Sequence, residues 1–479
     1  MGEIMIDDDL CYLTATDALD LYRQRKVSPS EVLQAHIQRA AVVEPRVNAF
    51  TEMYFDDAIK QAKLADDHYM RGTARPLEGL PVAVKDAQRM AGRRTTYGSL
   101  VLSDNRDDRS DPMIERLEQA GAIIHARTTT SEFCLSLICS TRLWGTTRNP
   151  FDQEFGTGGS SGGSAASLAA GTSILATGTD IGGSIRIPAS CCGVLGYKPP
   201  KGRNPDGAPA NFDPYNHCGP LGRSVADLAL VQNVVAGPDP RDHSSLRELV
   251  TIPKTHPPIK GMRIGWSMDL GYMPISQEVR RNTLAALEVF RSLGCILEEV
   301  DLGWTADCDA AAQSWYNSMH FGRQALWHSK ENGDLLTDYA LAAARSASSL
   351  SPDDVSNSWA AQNSMYQSFG RAMERCDLFI CPTTAIPALR ADQDAVDKNF
   401  KVEGTVVDLE FGWILTHHFN MLYNCPVMSV PSGRAPNGIP TGIQLVGRTF
   451  DDLTVFQAAQ AYETAVGGWF GPDSRPAIG

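Results

Sequence analysis

Two serines and one lysine of the 479-residue chain have surroundings that could support nucleophilic catalysis. Ser160 and Ser184 each lie in a glycine-rich segment, and 24 positions separate them. A serine hydroxyl becomes a good nucleophile only when a base removes its proton. Lys85 follows the apolar run Leu80–Val84, and burial there would lower its pKa enough for it to act as that base. These residue types therefore favour nucleophilic catalysis by two serines with a lysine as the base.

The residues before Ser184 could also stabilise negative charge. Gly182 and Gly183 directly precede this serine. Glycine lets the backbone turn successive N–H groups toward one point, which an oxyanion hole requires. The same segment thus predicts both a nucleophile and the site that holds the charge it creates.

Two other mechanisms use glycine-rich segments. A phosphate-binding loop needs a lysine after the glycines, and no lysine occurs between Gly156 and Tyr197. The segment Gly158–Gly162 fits G-x-S-x-G, but a nucleophile elbow must directly follow a buried strand. The preceding residues Asn149–Phe155 are polar and loop-like, so we expect no such elbow.

Several of these residues also have purely structural interpretations. A lysine at a strand end is commonly ion-paired, and Asp86 could be the partner of Lys85. We expect Ser161 and Ser164 to be structural, with Ser164 as a helix N-cap.

The histidines and tryptophans favour structural interpretations. His417 and His418 are adjacent, so they cannot share one helix face as metal ligands would. His217 is interpreted as a polar loop residue, although a Ser-His-Asp triad would place a histidine beside Ser184. We expect the following tryptophans to lie in the core rather than to line an acyl pocket: Trp315, Trp327, Trp359 and Trp413.

The composition narrows the class of protein. The 43 basic and 56 acidic residues give a net charge of −13, which disfavours binding to nucleic acid or an anionic membrane. Eleven cysteines without a C-x-x-C motif favour a reducing compartment. Residues 1–9 lack the features of a signal peptide, and no apolar run is long enough to span a bilayer. We therefore expect a cytoplasmic protein.

Helical and apolar segments alternate along the chain, which predicts an α/β core with a largely buried sheet. Ser28–Glu31 is a capping box with proline at the first helical position. A helix is predicted from Ser164 to about Thr177. Residues 240–375, mostly helical, are predicted to cover the active site.

Several long motifs, in the right order, resemble the amidase signature hydrolases. Gly158–Ser164 matches the centre of the family signature, Thr179–Arg186 its second block and Pro81–Asp86 its lysine block. Flanking family segments match Gly219–Asp227, Cys381–Thr384 and Gly442–Arg448. The resemblance covers roughly residues 75–235 and 375–465.

The resemblance implies a role for each matching residue. Ser184 would be the acylated nucleophile, Ser160 a bridging serine that follows a cis peptide bond, and Lys85 the base. The oxyanion hole would consist of the amides of Ile181, Gly182, Gly183 and Ser184. Supporting residues would be Ser161, Asp180 and Arg186, and weaker assignments to the substrate pocket fall on Cys134 and Gly159.

The resemblance also implies the fold and the reaction. We expect residues 1–479 to form one α/β/α domain around a mixed sheet, with a helical N-terminal arm (1–75), a signature core (76–235 and 375–470) and a covering region (240–375). The expected reaction is hydrolysis of a C–N bond in a small amide, anilide or carbamate, without a metal or an organic cofactor. A homodimer is the default expectation.

Two alternatives stay open. One is the glutaminase (A) subunit of a tRNA-dependent amidotransferase, although Ile187 stands where such subunits usually carry glutamine. The other is an inactive amidase-like scaffold, which would not need the two serines and the lysine that this chain retains.

Overall fold

The computed structural model describes residues 8–478, apart from the side chains at positions 320 and 321. The absence of a signal peptide is predicted from residues 1–9, of which 1–7 lie outside the described residues. The strands are β1 Phe50–Met53, β2 Pro81–Lys85, β3 Ile123–Thr128, β4 Ser140–Thr141, β5 Gly145–Thr146, β6 Leu175–Asp180, β7 Leu195–Lys198, β8 His217–Gly222, β9 Arg263–Trp266, β10 Ile296–Glu299, β11 Leu378–Pro382, β12 Lys401–Val402, β13 Thr405–Val406, β14 Val427–Arg434 and β15 Pro440–Gly447. The helices are α1 Asp8–Cys11, α2 Ala15–Arg23, α3 Pro29–Val47, α4 Phe55–Arg71, α5 Pro112–Gln119, α6 Gly162–Ala169, α7 Arg186–Cys192, α8 Val225–Val235, α9 Gln277–Ser292, α10 Asp307–Ser318, α11 His320–Asn332, α12 Asp338–Ser349, α13 Pro352–Met373, α14 His418–Met421 and α15 Asp452–Val466.

Eleven of these strands form one sheet, in the order β1-β3-β2-β6-β8-β7-β14-β15-β11-β9-β10. Strand β2 pairs in parallel with β3 and with β6, whereas β8 pairs antiparallel with β6 and with β7. The predicted mixed sheet is therefore confirmed.

Helices pack on both faces of this sheet. Successive side chains of a strand point to opposite faces, so neighbouring residues should enter different cores. Met428 of β14 lies in the same apolar cluster as Leu228 of α8 and Phe456 of α15. Val427, the residue before it, shares a second cluster with Phe369 of α13. The layered α/β/α arrangement is thus present.

The capping box at the start of α3 forms as predicted. The Ser28 hydroxyl accepts a hydrogen bond from the Glu31 amide, and the Glu31 carboxylate accepts one from the Ser28 amide. Pro29 occupies the first helical position, where its missing N–H costs nothing.

The helix predicted from Ser164 to Thr177 is wrong in its extent. Helix α6 ends at Ala169, and Gly171 follows with a φ of +74° that ends the helical path. Residues Leu175–Asp180 form strand β6 instead. Ser164 is inside α6 rather than its N-cap, and its hydroxyl donates to the Thr177 carbonyl at 2.8 Å.

Within residues 240–375, strands β9 and β10 belong to the sheet and helix α9 lies between them in the chain. Helices α10 and α12 contact the segment 131–138 beside the candidate site through the hydroxyls of Tyr316 and Tyr339. The core assignment of tryptophans is confirmed for Trp315 and Trp413, which are buried. It is wrong for Trp327 and Trp359, whose exposed fractions are 68% and 59%.

In residues 8–478, no helix has the length and the apolar character needed to cross a membrane. All eleven cysteines lie in this part of the chain, and each is buried. They pack as small apolar side chains, as expected.

Candidate active site

Lys85 is the last residue of β2, an interior strand of the sheet. The parallel register of β2 and β6 brings the ends of both strands to the same edge, so Lys85 lies beside Thr179. The Lys85 Nζ atom donates to the Ser160 Oγ atom at 2.7 Å and to the Thr179 Oγ1 atom at 2.8 Å. The side chain is completely buried, and this burial lowers the pKa of Lys85. The structure thus joins two of the three predicted residues in a single buried contact.

Ser160 lies in the loop that leads into α6, directly after a cis peptide bond between Gly159 and Ser160. The loop passes close to its neighbours, since a Cβ atom on Gly159 would lie 2.5 Å from the Ser136 carbonyl oxygen. Residues 149–161 contain no strand, which agrees with the predicted absence of a nucleophile elbow.

Ser184 lies in the turn between β6 and α7 and is only 3% exposed. The Ser161 amide donates to the Ser184 carbonyl at 3.1 Å and so joins the two serine-bearing loops. The Ser161 hydroxyl donates to the Thr179 carbonyl at 3.3 Å. Ser161 therefore links both loops to the end of β6.

Asp180 and Arg186 close this turn from opposite ends. The Asp180 carboxylate accepts hydrogen bonds from the Gly183 amide and from the Arg186 guanidinium, all at 2.9 Å. Burial alone would raise the pKa of Asp180, but the Arg186 charge and hydrogen bonds outweigh it and hold that pKa well below its ordinary value. The Ser184 turn is thus fixed by a buried ion pair.

Three residues that the sequence did not assign to the site complete its support. The Thr416 hydroxyl donates to the Gly182 carbonyl at 2.6 Å. Arg186 also donates to the side-chain oxygens of Asn420 and Gln444, both at 2.6 Å. Gln444 lies in the matched segment Gly442–Arg448, but no comparable signal marks Thr416 or Asn420.

The two weak pocket assignments, Cys134 and Gly159, fall beside the serine-bearing loops. Cys134 is buried with a φ of +59°, and its carbonyl accepts from the Tyr316 hydroxyl at 2.6 Å. Gly159 offers no side chain, and its lack of a Cβ atom permits the close approach of Ser136.

The sequence also allowed Lys85 to be the ion-pair partner of Asp86 and His217 to be a polar loop residue. The structure agrees with neither interpretation. The Asp86 carboxylate binds Thr96 and Arg127 rather than Lys85. His217 lies in strand β8 and not in a polar loop, and its ring nitrogens contact main-chain carbonyls, including that of Tyr423. In the described part of the chain, residues 8–478, the His217 ring has no hydrogen bond with Ser184.

The prediction that the adjacent residues His417 and His418 cannot face one another as metal ligands would is wrong. His417 precedes the short helix α14, so the two rings converge, with potential ligand atoms within 4.8 Å of one another and of Asp309. His417 Nε2 lies 2.8 Å from an Asp309 carboxylate oxygen, and His418 Nε2 lies 2.8 Å from the Tyr272 hydroxyl, which also donates to Asp309. These groups form a hydrogen-bonded network.

This arrangement of a buried lysine and two serine loops can be compared with known proteins. A family model described as Amidase matches residues 31–456, which is most of the chain. The chain belongs to the amidase signature family.

Members of two kinds within the family are similar over nearly their whole lengths. An acylamidase from Rhodococcus erythropolis is 30% identical over 478 residues, covering 99% of each chain. The A subunit of glutamyl-tRNA(Gln) amidotransferase from Carboxydothermus hydrogenoformans is 31% identical over 486 residues, covering 95% of this chain and 97% of that protein. The crystal structure of a bacterial aryl acylamidase of the amidase signature family has a TM-score of 0.88 at 28% identity, covering 95% of this chain and 96% of that one. Membership therefore leaves the substrate open.

Proposed function

We propose that this amidase signature protein hydrolyses C–N bonds of small amides, anilides or carbamates through an acyl-enzyme on Ser184. The observation that carries the proposal is the buried 2.7 Å contact between Lys85 Nζ and Ser160 Oγ. An ion pair with Asp86 would keep Lys85 charged, but the Asp86 carboxylate binds Arg127 instead. A buried lysine with a lowered pKa can be neutral at working pH and can accept a proton.

The proposed proton route runs through both serines. Ser184 attacks the carbonyl carbon and passes its proton to Ser160, whose own proton passes to Lys85. When the C–N bond breaks, Ser160 donates a proton to the leaving amine and regains one from Lys85. Water then adds to the Ser184 ester by the same route, which releases a carboxylic acid, or a carbonate half-ester when the substrate is a carbamate, and restores the serine.

The oxyanion would be held by main-chain amides of the Ser184 turn. The sequence suggests four donors, namely Ile181, Gly182, Gly183 and Ser184. The Gly183 amide already donates to Asp180, so we assign the oxyanion mainly to the other three. Donors fixed before the reaction stabilise the developing charge without reorganisation, which is the largest contribution in many enzymes.

The remaining assignments extend this proposal. Ser161, Asp180 and Arg186 would hold the two loops in register, and Cys134 and Gly159 would border the substrate. Base, acid and oxyanion donors are all supplied by the chain, so we propose that no metal or organic cofactor takes part. The continuous sheet, to which strands between Phe50 and Gly447 contribute, supports one domain over residues 1–479.

The test is amine release from an aryl anilide, an aryl carbamate, a short aliphatic amide and glutamine, with alcohol release from an aryl ester measured alongside. We expect the isolated chain to turn over at least one anilide, carbamate or amide, and Ser184→Ala to lower kcat by up to roughly 10⁶-fold. Ser348→Ala, at an exposed helical serine, is the matched control and should leave the rate unchanged. Full activity in Ser184→Ala would contradict the proposal.

The similarity to the A subunits of amidotransferases favours a second candidate, a glutaminase that supplies ammonia to a partner. Release of ammonia only from glutamine, and only with partner subunits present, would support it. The third candidate is an inactive scaffold. Failure of a fluorophosphonate probe to label Ser184 in the folded protein would favour that scaffold.

A further inference from the structure

A cavity of about 110 Å³ lies beside the reactive loops and contains one carboxyl group, that of Glu410. Its walls come from the segment Leu135–Ile138, from helices α10 and α12, from Leu389 and Ala395, and from the segment that includes Leu409 and Glu410. Apolar side chains form much of the wall, so Glu410 is the feature that gives this cavity a chemical preference.

Two parts of the cavity wall lead to the proposed catalytic loops. The Ser136 carbonyl oxygen and the Leu137 Cα atom lie 2.5 and 3.0 Å from where a Cβ atom on Gly159 would be, beside Ser160. Glu410 is followed by Phe411, whose ring edge would lie 4.0 Å from a Cβ atom on Gly182. One wall of the cavity therefore contacts the Ser160 loop directly, and Phe411 connects Glu410 to the Ser184 loop.

The Glu410 carboxyl has no cationic partner among the described residues that line this cavity. The buried carboxylates of Asp86, Asp180 and Asp452 are each paired with an arginine. No lysine, arginine or histidine is among the described residues that line this cavity. Burial raises the pKa of Glu410 to about 8, the nearby Asp408 adds to this, and a hydrogen bond from Gln313 opposes it. Glu410 is half-buried, and a carboxylate has room for several donors, so it can accept further hydrogen bonds from a ligand in the cavity.

We infer that this cavity takes one arm of the substrate, and that Glu410 selects a short aliphatic arm that ends in an ammonium or another N–H donor. The inference rests on the proposed function. The volume of the cavity limits this arm to a short aliphatic chain, since even a cavity of about 150 Å³ only accommodates benzene. The Glu410 carboxyl selects the terminal group of the arm, because a donor cation would supply the charge and the hydrogen bonds that Glu410 lacks.

Matched substrates test this selection on both sides of the scissile bond. On the acyl side, 4-aminobutyryl anilide is compared with pentanoyl anilide, which replaces the ammonium by a methyl group of similar size. On the amine side, N-acetyl-1,4-diaminobutane is compared with N-pentylacetamide. We expect the ammonium substrate to be preferred in kcat/KM by about ten- to a hundredfold on one side, the range for hydrogen bonds to charged groups.

Glu410→Gln should abolish most of that preference while turnover of the methyl-terminated substrate continues. Glu403→Gln, which makes the same change at an exposed position of the same segment, should preserve it. Equal preference in Glu410→Gln and wild type, or no preference on either side in wild type, would overturn the inference. Glu410→Asp provides a second variant if Glu410→Gln does not fold.

A binding measurement separates failure of this inference from failure of the proposed function. The melting temperature is measured with butylammonium and with 1-butanol as probes, without any turnover. We expect butylammonium alone to raise the Tm of wild type and of Ser184→Ala, but not of Glu410→Gln. If no substrate is turned over, the proposed function fails, whereas the absence of this butylammonium effect would refute the role of Glu410.

Discussion

The side chain of Thr416 occupies the space that a side chain at Gly183 would need. A Cβ atom on Gly183 would lie 2.0 Å from the Thr416 Oγ1 atom, and that hydroxyl is held in place by its bond to the Gly182 carbonyl. Gly183 also has a φ of +125°, which side chains rarely adopt. The turn before Ser184 is therefore restricted by packing as well as by backbone conformation.

This relationship predicts that Gly183→Ala displaces the Ser184 turn. We expect kcat to fall by about 10²–10³-fold, as for loss of an oxyanion donor, together with a lower Tm. Gly72→Ala is the matched control, since Gly72 has a φ of +69° and nothing within 4 Å of the new Cβ atom. It should cost about 1–2 kcal/mol of stability and leave kcat unchanged. Equal effects of the two substitutions would show that the contact with Thr416 is unimportant.

The lowered pKa of Lys85 predicts the pH dependence of the reaction. Lys85 acts as a base only when neutral, so kcat/KM should fall as the pH drops below its folded-state pKa. Lys85→Met and Lys85→Arg should both reduce kcat by roughly 10²–10⁴-fold, because neither side chain can accept the Ser160 proton. A pH–rate profile of the three proteins checks this, and an active Lys85→Arg enzyme would contradict it.

The burial of Lys85 also predicts how the pH affects stability. Between the folded-state pKa of Lys85 and the higher unfolded-state value, the unfolded chain binds the extra proton, so the unfolding free energy rises with pH. Lys85→Met lacks this contribution. Its stability relative to wild type should therefore decrease as the pH rises from 7 to 9, by at most about 1.4 kcal/mol for each tenfold change in proton concentration. Denaturant titrations measure the difference, and a relative stability of Lys85→Met that stays constant or increases would be inconsistent with a lysine whose pKa is lowered.

Arg186 should not tolerate replacement by lysine. Its guanidinium binds Asp180, Asn420 and Gln444 at the same time, which a single ammonium cannot do. We expect Arg186→Lys to lower the unfolding free energy by about 3–5 kcal/mol, the cost of breaking a buried pair. Arg23→Lys, at an exposed pair with Asp20, should change it by less than about 1 kcal/mol. Similar losses in both variants would argue against a special role for the buried pair.

Treatment with a chelator should change neither activity nor Tm. The carboxylate of Asp309 and the rings of His417 and His418 converge, but Asp309 and Tyr272 already hydrogen-bond with these rings. The proposed reaction uses none of these groups. The check is dialysis against EDTA followed by thermal melting and an activity assay, with Zn²⁺ added back. A fall in Tm that Zn²⁺ reverses would identify a metal site here.

The sequence predicts the proposed catalytic residues better than the residues that hold them in place. Lys85, Ser160 and Ser184 are recognisable because each lies in a long motif of unusual composition. Thr416 and Asn420 meet the Ser184 turn only after the chain has folded, and neither has a local pattern that predicts the contact.

The errors in secondary structure have local causes. The residues Leu175–Asp180 include a glycine and follow a run of small side chains, so their pattern resembles the continuation of a helix, although Gly171 ends that helix. Strand β15, Pro440–Gly447, is not predicted as a strand because a proline and two glycines interrupt its apolar residues. It is completely buried between β14 and β11, where tertiary packing outweighs these weak β-formers.

The bond between Arg186 and Gln444 joins positions 258 residues apart. Ribosomes add roughly 5–20 residues per second, so a growing chain exposes Lys85, Ser160 and Ser184 long before it exposes Gln444. Until then Arg186 lacks partners from the segment that carries Thr416, Asn420 and Gln444, and the turn that it braces is incomplete. The protein should therefore acquire activity late in translation, and premature termination between residues 184 and 444 would yield polypeptides with Lys85, Ser160 and Ser184 but without a complete site.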